Sequence, residues 1–168
     1  MSVRLFSKVG GHFYFTIMNE QLLFASEIQI KYEPRVQPIN QPRIQSSEDA
    51  YLQCLYFFSL ENLNIKEEAV VLFLNRSNRV LGGYKVSSGG ITGTIIDVRL
   101  ILSIALKCLA SGIIIAHNHP SGELTPSRAD KELTQKLKEA AMLMDISLLD
   151  HLIITVDSYY SFADEGVI

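Results

Sequence analysis

The chain is expected to form an α/β domain with a mixed central sheet flanked by helices and preceded by an N-terminal β-hairpin, and three observations predict this. Short apolar runs at 69–74 and 113–116 have the length and β-branched content of buried strands. Segments of helical period separate such runs through the second half of the chain, the alternation that builds helix-flanked sheets. The 168 residues, 48% of them hydrophobic, suffice for one core.

Taken in order, His12 to Ile17 and the stretch Leu22 to Tyr32 read as strands of a hairpin turning at Asn19-Glu20. Pro34, Pro38 and Pro42 each fix their own φ and restrict the residue before them, so residues 33 to 45 read as an extended connector. Residues 1–45 therefore form an N-terminal segment, and 46–168 the catalytic module. Ser46 and Asp49 match a capping box, and Leu52, Leu55 and Phe58 recur at helical spacing, predicting a helix to about Leu60. Asn75-Arg76-Ser77-Asn78 is turn chemistry between the strand at 69–74 and a second at 79–87, an antiparallel hairpin. Asp97 is placed to cap a helix over 98–110, which Ser111-Gly112 ends. After the strand at 113–116 a helix is expected from about Thr125-Pro126-Ser127, with Pro126 in its first turn, to Leu143, followed by strands at 148–155 and 159–162.

Composition excludes several classes. The net charge is −3 with no run of Lys or Arg, so no broad footprint for nucleic acid is visible. Leu100 to Ala116 is apolar but broken by Ser103, Lys107 and Ser111, so no membrane span is expected. Met1 to Gly11 lacks the continuous apolar core of a signal peptide, and a cytoplasmic location is the expectation. Cys54 and Cys108 have neither a CxxC partner nor an adjacent base and read as buried small hydrophobes. Gly89, Gly90 and Gly93 lack the lysine and spacing of a nucleotide loop. Edge strands in the N-terminal hairpin make a homodimer plausible.

The chemistry concentrates in His117-Asn118-His119-Pro120-Ser121-Gly122, followed by Ser127 and Asp130. Imidazoles two positions apart point to the same side of an extended chain, so one divalent ion can reach both. Asp130 supplies a third, oxygen, ligand, and three protein ligands with one position open is the arrangement of a catalytic zinc. Ser127 to Asp130 also fits the S-x-x-D pattern of a helix N-terminus, so capping alone accounts for both residues equally. On the ligand reading, the first helical turn brings Asp130 over the histidines, and Ser127 orients a carbonyl or stabilises an oxyanion. Glu123 reads as an exposed loop residue and His12 as structural. Asp150-His151 either orient a ligand imidazole from the next strand or bond to backbone.

HxH, seven residues, then SxxD resembles the signature of JAMM (MPN-type) zinc metallopeptidases. The longer string HNHPSGELTPSRAD, with LLDHLIIT downstream and VLFLN upstream, looks like the RadC-type branch of that group over about residues 46 to 168. The resemblance implies a fold similar to cytidine deaminases and JAMM peptidases, Zn2+ held by His117, His119 and Asp130, and Ser127 on the family's serine. It also implies an upstream glutamate as general base. Glu67 and Glu68 both precede the strand at 69–74, and the Glu-x-x-x-Val-Leu-Phe-Leu spacing favours Glu67. RadC-type proteins commonly carry an N-terminal helix-hairpin-helix region associated with DNA, whereas residues 1 to 45 here read as hairpin and connector.

The function expected is a zinc-dependent hydrolase of peptide or isopeptide bonds, acting on a peptide or protein substrate. The alternative is a DNA-repair-associated accessory protein, with a structural or vestigial metal site, that acts through partner binding. A nucleobase deaminase is excluded, because its HxE and PCxxC pattern is absent.

Overall fold

The computed structural model describes residues 4–9, 12–17, 32–34, 36–90 and 95–168. The chain divides into two compact units, Met1–Ile30 and Lys31–Ile168. In the first, β1 (Arg4–Val9) and β2 (His12–Ile17) pair antiparallel with Val9 opposite His12. His12 to Ile17 thus pairs with the strand before it. The remainder of the expectation, 22–31 with its Asn19-Glu20 turn, lies outside the described residues.

The second unit contains α1 (Ser47–Leu55), β3 (Glu68–Leu74), β4 (Val80–Ser88), α2 (Val98–Lys107), β5 (Gly112–Asn118), α3 (Arg128–Met142), β6 (Ser147–Ile154) and β7 (Tyr159–Ser161). Five strands form one mixed sheet in the order β4-β3-β5-β6-β7, in which only β5 and β6 run parallel. Such a pair needs a crossover, and α3 supplies it.

Alternation along the strands sorts side chains onto two faces. Val71 and Phe73 of β3 and Ile113 and Ile115 of β5 join Ile101, Leu102 and Ala105 of α2 and Leu137 and Ala141 of α3 in one buried cluster. Val70, Leu72 and Leu74, with Ile114, Ala116, Leu152 and Ile154, pack instead with Ala50 and Cys54 of α1. Both cysteines are buried and free.

β6 breaks the alternation once. Ile113 stands opposite Leu148 but Ile114 opposite Asp150, so Leu149 is an extra residue in the ladder. A bulge of this kind re-aims every side chain after it. Leu148 lies on the α2/α3 face, and three positions later His151 returns to that same face, bonded to Thr134 of α3.

Two helix ends differ from expectation. The capping box at Ser46 and Asp49 starts α1, but the helix stops at Leu55, because the chain turns inward at Phe57 and Phe58. Phe58 is buried, and the Phe57 ring lies so close over Gly83 that a Cβ there would collide with it. Pro126 precedes the α3 cap instead of entering the first turn, since Ser127 is itself the N-cap. Among the described residues no helix is long and apolar enough to cross a membrane.

Candidate metal centre

The site lies at the C-terminal end of β5. His117 is still within the strand, on the face of Ile113 and Ile115. His119 lies just past the strand end, where its N–H donates to the Ile154 carbonyl at 3.0 Å and so extends the β5–β6 pairing by one residue. Gly122 then turns the chain at φ 79°, a left-handed conformation open to glycine. Helix α3 begins within a few residues and carries Asp130 in its first turn.

These three residues converge, with ligand atoms within 4.8 Å of one another. His117 Nε2 is 3.0 Å from His119 Nε2 and 3.2 Å from Asp130 Oδ1, and His119 Nε2 is 3.7 Å from Asp130 Oδ2. Burial would raise the pKa of the Asp130 carboxyl, but His117 beside it and the hydrogen bonds of Ser127 hold it well below the usual carboxylate range. The residue therefore remains an anion.

The two readings of Ser127 and Asp130 hold together, because a carboxylate has two oxygens. Asp130 Oδ2 accepts the Ser127 N–H at 2.7 Å and Ser127 Oγ accepts the Asp130 N–H at 3.2 Å, a complete capping box. Oδ1 remains turned to His117. The cap thus fixes the carboxylate that faces the histidines.

Each histidine is oriented through its other ring nitrogen. His119 Nδ1 is 2.6 Å from the backbone carbonyl of Glu123, which can only accept, so Nδ1 carries a hydrogen and Nε2 is the nitrogen presented to the site. The exposed Glu123 contributes this carbonyl, while its carboxylate accepts the Thr125 N–H. His117 Nδ1 is 2.9 Å from Nε2 of His151, a fully buried residue whose pKa burial drives well below the ordinary histidine value. His151 Nδ1 is in turn 2.6 Å from Thr134 Oγ1. Thr134 carried no signal at the sequence level beyond its helical position.

Strand parity separates the two glutamates. Glu67 shares the α2/α3 face, and with Ile96, His117, Ala129, Asp130 and Leu133 it lines a pocket of about 200 Å³. Glu68 turns to the other face, where Lys85 Nζ at 2.8 Å, Lys66 Nζ at 3.3 Å, the Ser88 hydroxyl and the Ser59 N–H surround it. Burial would raise its pKa, but the hydrogen bond and charge of Lys85, helped by Ser59 and Lys66, lower it to about 2. Its carboxylate is committed to structure.

Asn118, between the two histidines, projects to the α1 face and is fully buried. It accepts the Glu68 N–H at 2.6 Å and donates to the carbonyls of Leu63 at 2.7 Å and Lys66 at 2.9 Å. The segment carrying Glu67 is thereby fastened to the strand that carries His117. The sequence reading missed this clamp, although an amide flanked by two candidate ligands on an alternating strand must face away from them.

Residues 44–167 match the RadC-like JAB domain family. The chain is similar to UPF0758 proteins of Flavobacterium johnsoniae, at 56% identity over 101 residues (60% of this chain, 44% of the relative), and Porphyromonas gingivalis, at 50% over 104 (61% and 46%). A UPF0758 protein of Haemophilus ducreyi is 42% identical over 115 residues, 68% of this chain and 52% of the relative. The chain thus spans about half the length of these relatives. With the match running from before α1 to past β7, and the candidate ligands inside it, the chain belongs to the RadC-like JAB domain family.

Proposed function

We propose that this protein is a zinc-dependent hydrolase of peptide or isopeptide bonds. One observation carries the reading: two imidazole nitrogens and a carboxylate oxygen converge with their acceptor sides on one another, beside a pocket whose lining includes Glu67. This donor set fits zinc, which accepts nitrogen and oxygen ligands and in catalytic sites takes three from the protein. His117, His119 and Asp130 would hold the ion. Zinc, when bound, supplies Lewis acidity that polarises a carbonyl and acidifies water.

The remaining steps belong to side chains. Glu67 is half-buried, without the lysine partners that occupy Glu68, and it acts as general base and then as acid toward the leaving amine. Ser127 keeps its hydroxyl hydrogen while its oxygen accepts the Asp130 N–H, so the O–H is available to an oxyanion. Ile96, Ala129 and Leu133 give the pocket an apolar wall that limits water.

The test is a screen of the zinc-loaded protein against peptide and isopeptide libraries, with and without chelator. Glu67→Gln is expected to retain the metal and lose cleavage by at least ~100-fold, the scale of a lost general base. Full activity in that variant would move the base elsewhere. Cleavage indifferent to chelator would remove the metal from the reaction.

A further inference from the structure

We propose that Thr134 and His151 are positioning residues that hold the His117 imidazole in its Nδ1–H tautomer and ring plane, so that a bare Nε2 faces a cation. The proposal rests on reading His117, His119 and Asp130 as a metal centre and adds two residues to it.

The hydrogen positions follow from a chain of contacts with one fixed end. Thr134 Oγ1 is 2.6 Å from the backbone carbonyl of Asp130 and 2.6 Å from His151 Nδ1. A carbonyl oxygen only accepts, so the single hydroxyl hydrogen lies on that side; the reverse would set two oxygen lone pairs against each other at 2.6 Å. Thr134 Oγ1 then accepts from His151, and His151 Nδ1 carries a hydrogen. His151 is fully buried and its neighbours on this path are a hydroxyl and an imidazole. An imidazolium there would lack the solvation a buried charge needs, so the ring is neutral and its Nε2 is bare. The 2.9 Å contact therefore takes its hydrogen from His117 Nδ1. His117 Nε2 is left as the ligand atom.

The ring planes are held as well. Phe162 stacks on His151 with centroids 4.7 Å apart and planes 13° from parallel. The extra residue at Leu149 is what turns His151 toward His117, since unbroken alternation from Leu148 would send it to the α1 face.

The path also closes on itself. It leaves the main chain of Asp130, passes through Thr134, His151 and His117, and returns to the side chain of Asp130 at 3.2 Å. His119 uses the same device in one step, donating directly to the Glu123 carbonyl. Partners of this kind fix the tautomer of a ligating histidine and raise its basicity, and their removal typically costs about 10- to 100-fold in metal affinity.

The experiment measures zinc affinity by competition with a chromophoric chelator, and the visible spectrum of the cobalt-substituted protein, for wild type, Thr134→Val, Thr134→Ser and His151→Phe. Thr134→Val keeps the shape of the side chain and removes the hydroxyl. It is expected to bind zinc about 10- to 100-fold more weakly and to shift the cobalt spectrum, while Thr134→Ser restores both to within about threefold of wild type. A long-range ¹⁵N–¹H spectrum of wild type, which needs no variant to fold, is expected to show Nδ1–H for His117 and His151. Wild-type zinc binding with equal affinity in Thr134→Val, or an Nε2–H signal from His151, overturns the relay alone. Wild-type protein that binds no zinc overturns the metal-centre reading beneath it.

Discussion

Strands β5 and β6 bury polar side chains on both faces, and the two faces treat them differently. On the α1 side, Asn118 meets one N–H and two carbonyls, while Asp150 accepts from the Ser161 hydroxyl and from the N–H groups of His151 and Ala163. Burial raises the Asp150 pKa, opposed by those same donors. Each group there has complementary partners, as buried polar groups in stable interiors do. On the α3 side, directed hydrogen bonds run through Thr134, His151 and His117 and end where three acceptor atoms face one another. Saturated polarity is architecture, whereas polarity that converges acceptors without a matching donor calls for a cation.

The contrast is broken most sharply by Asp130→Ala beside Ser127→Ala. Both break the capping box, but the first also removes a proposed ligand. Zinc affinity is expected to fall by more than ~100-fold in Asp130→Ala, beyond the loss typical of an outer partner. Ser127→Ala should keep about one ion per chain and lose about 1 kcal/mol of stability, the worth of an N-cap. Metal analysis and urea unfolding read the two, and equal zinc contents in Asp130→Ala and wild type would remove Asp130 from the site.

Asn118→Ala probes the saturated face. It strands the Glu68 N–H and the carbonyls of Leu63 and Lys66, a loss on the order of 4 kcal/mol when several buried groups go unpaired. A loss below about 1 kcal/mol would show that water replaces the amide and that the clamp is dispensable.

Glu68 adds a pH-dependent effect. Its folded pKa of about 2 lies below the ordinary 4.5, so the ionised carboxylate contributes its full stability above about pH 4.5. That contribution is lost as pH falls toward 2. It amounts to about 2 kcal/mol once screening of the partly exposed Lys66 and Lys85 is allowed for. Between pH 5 and 2 the stability of wild type should fall more steeply than that of Glu68→Gln. Parallel curves would mean that the lysine cage does no more than a neutral amide.

The legible parts of this molecule are those set by local geometry. The i,i+2 histidines need only an extended chain, Asp130 needs only one helical turn, and the apolar runs of β3 and β5 are buried over their whole length. What escaped depends on contacts between distant segments. Arg4 to Val9 was not read as a strand, so its pairing with β2 was missed. The end of α1 depends on the Phe57 ring finding a glycine on β4. The choice between Glu67 and Glu68 by spacing is now joined by strand parity, which becomes usable only once β3 is known to lie beside β5. The inner bond of His151 was one of two open readings, and nothing in Leu148-Leu149-Asp150-His151 announces an extra residue.

That bulge makes strand register itself a determinant of chemistry. Were Leu149 taken into the ladder without a bulge, the strand would still read as a buried apolar run, and the hydrophobic residues after it would exchange faces. Asp150 and His151 would exchange faces too, bringing a carboxylate beneath α3 and an imidazole beneath α1. In this segment a one-residue shift of register is an inversion of charge, and comparisons of related chains should match the strand face that Asp150 and His151 take before counting identities.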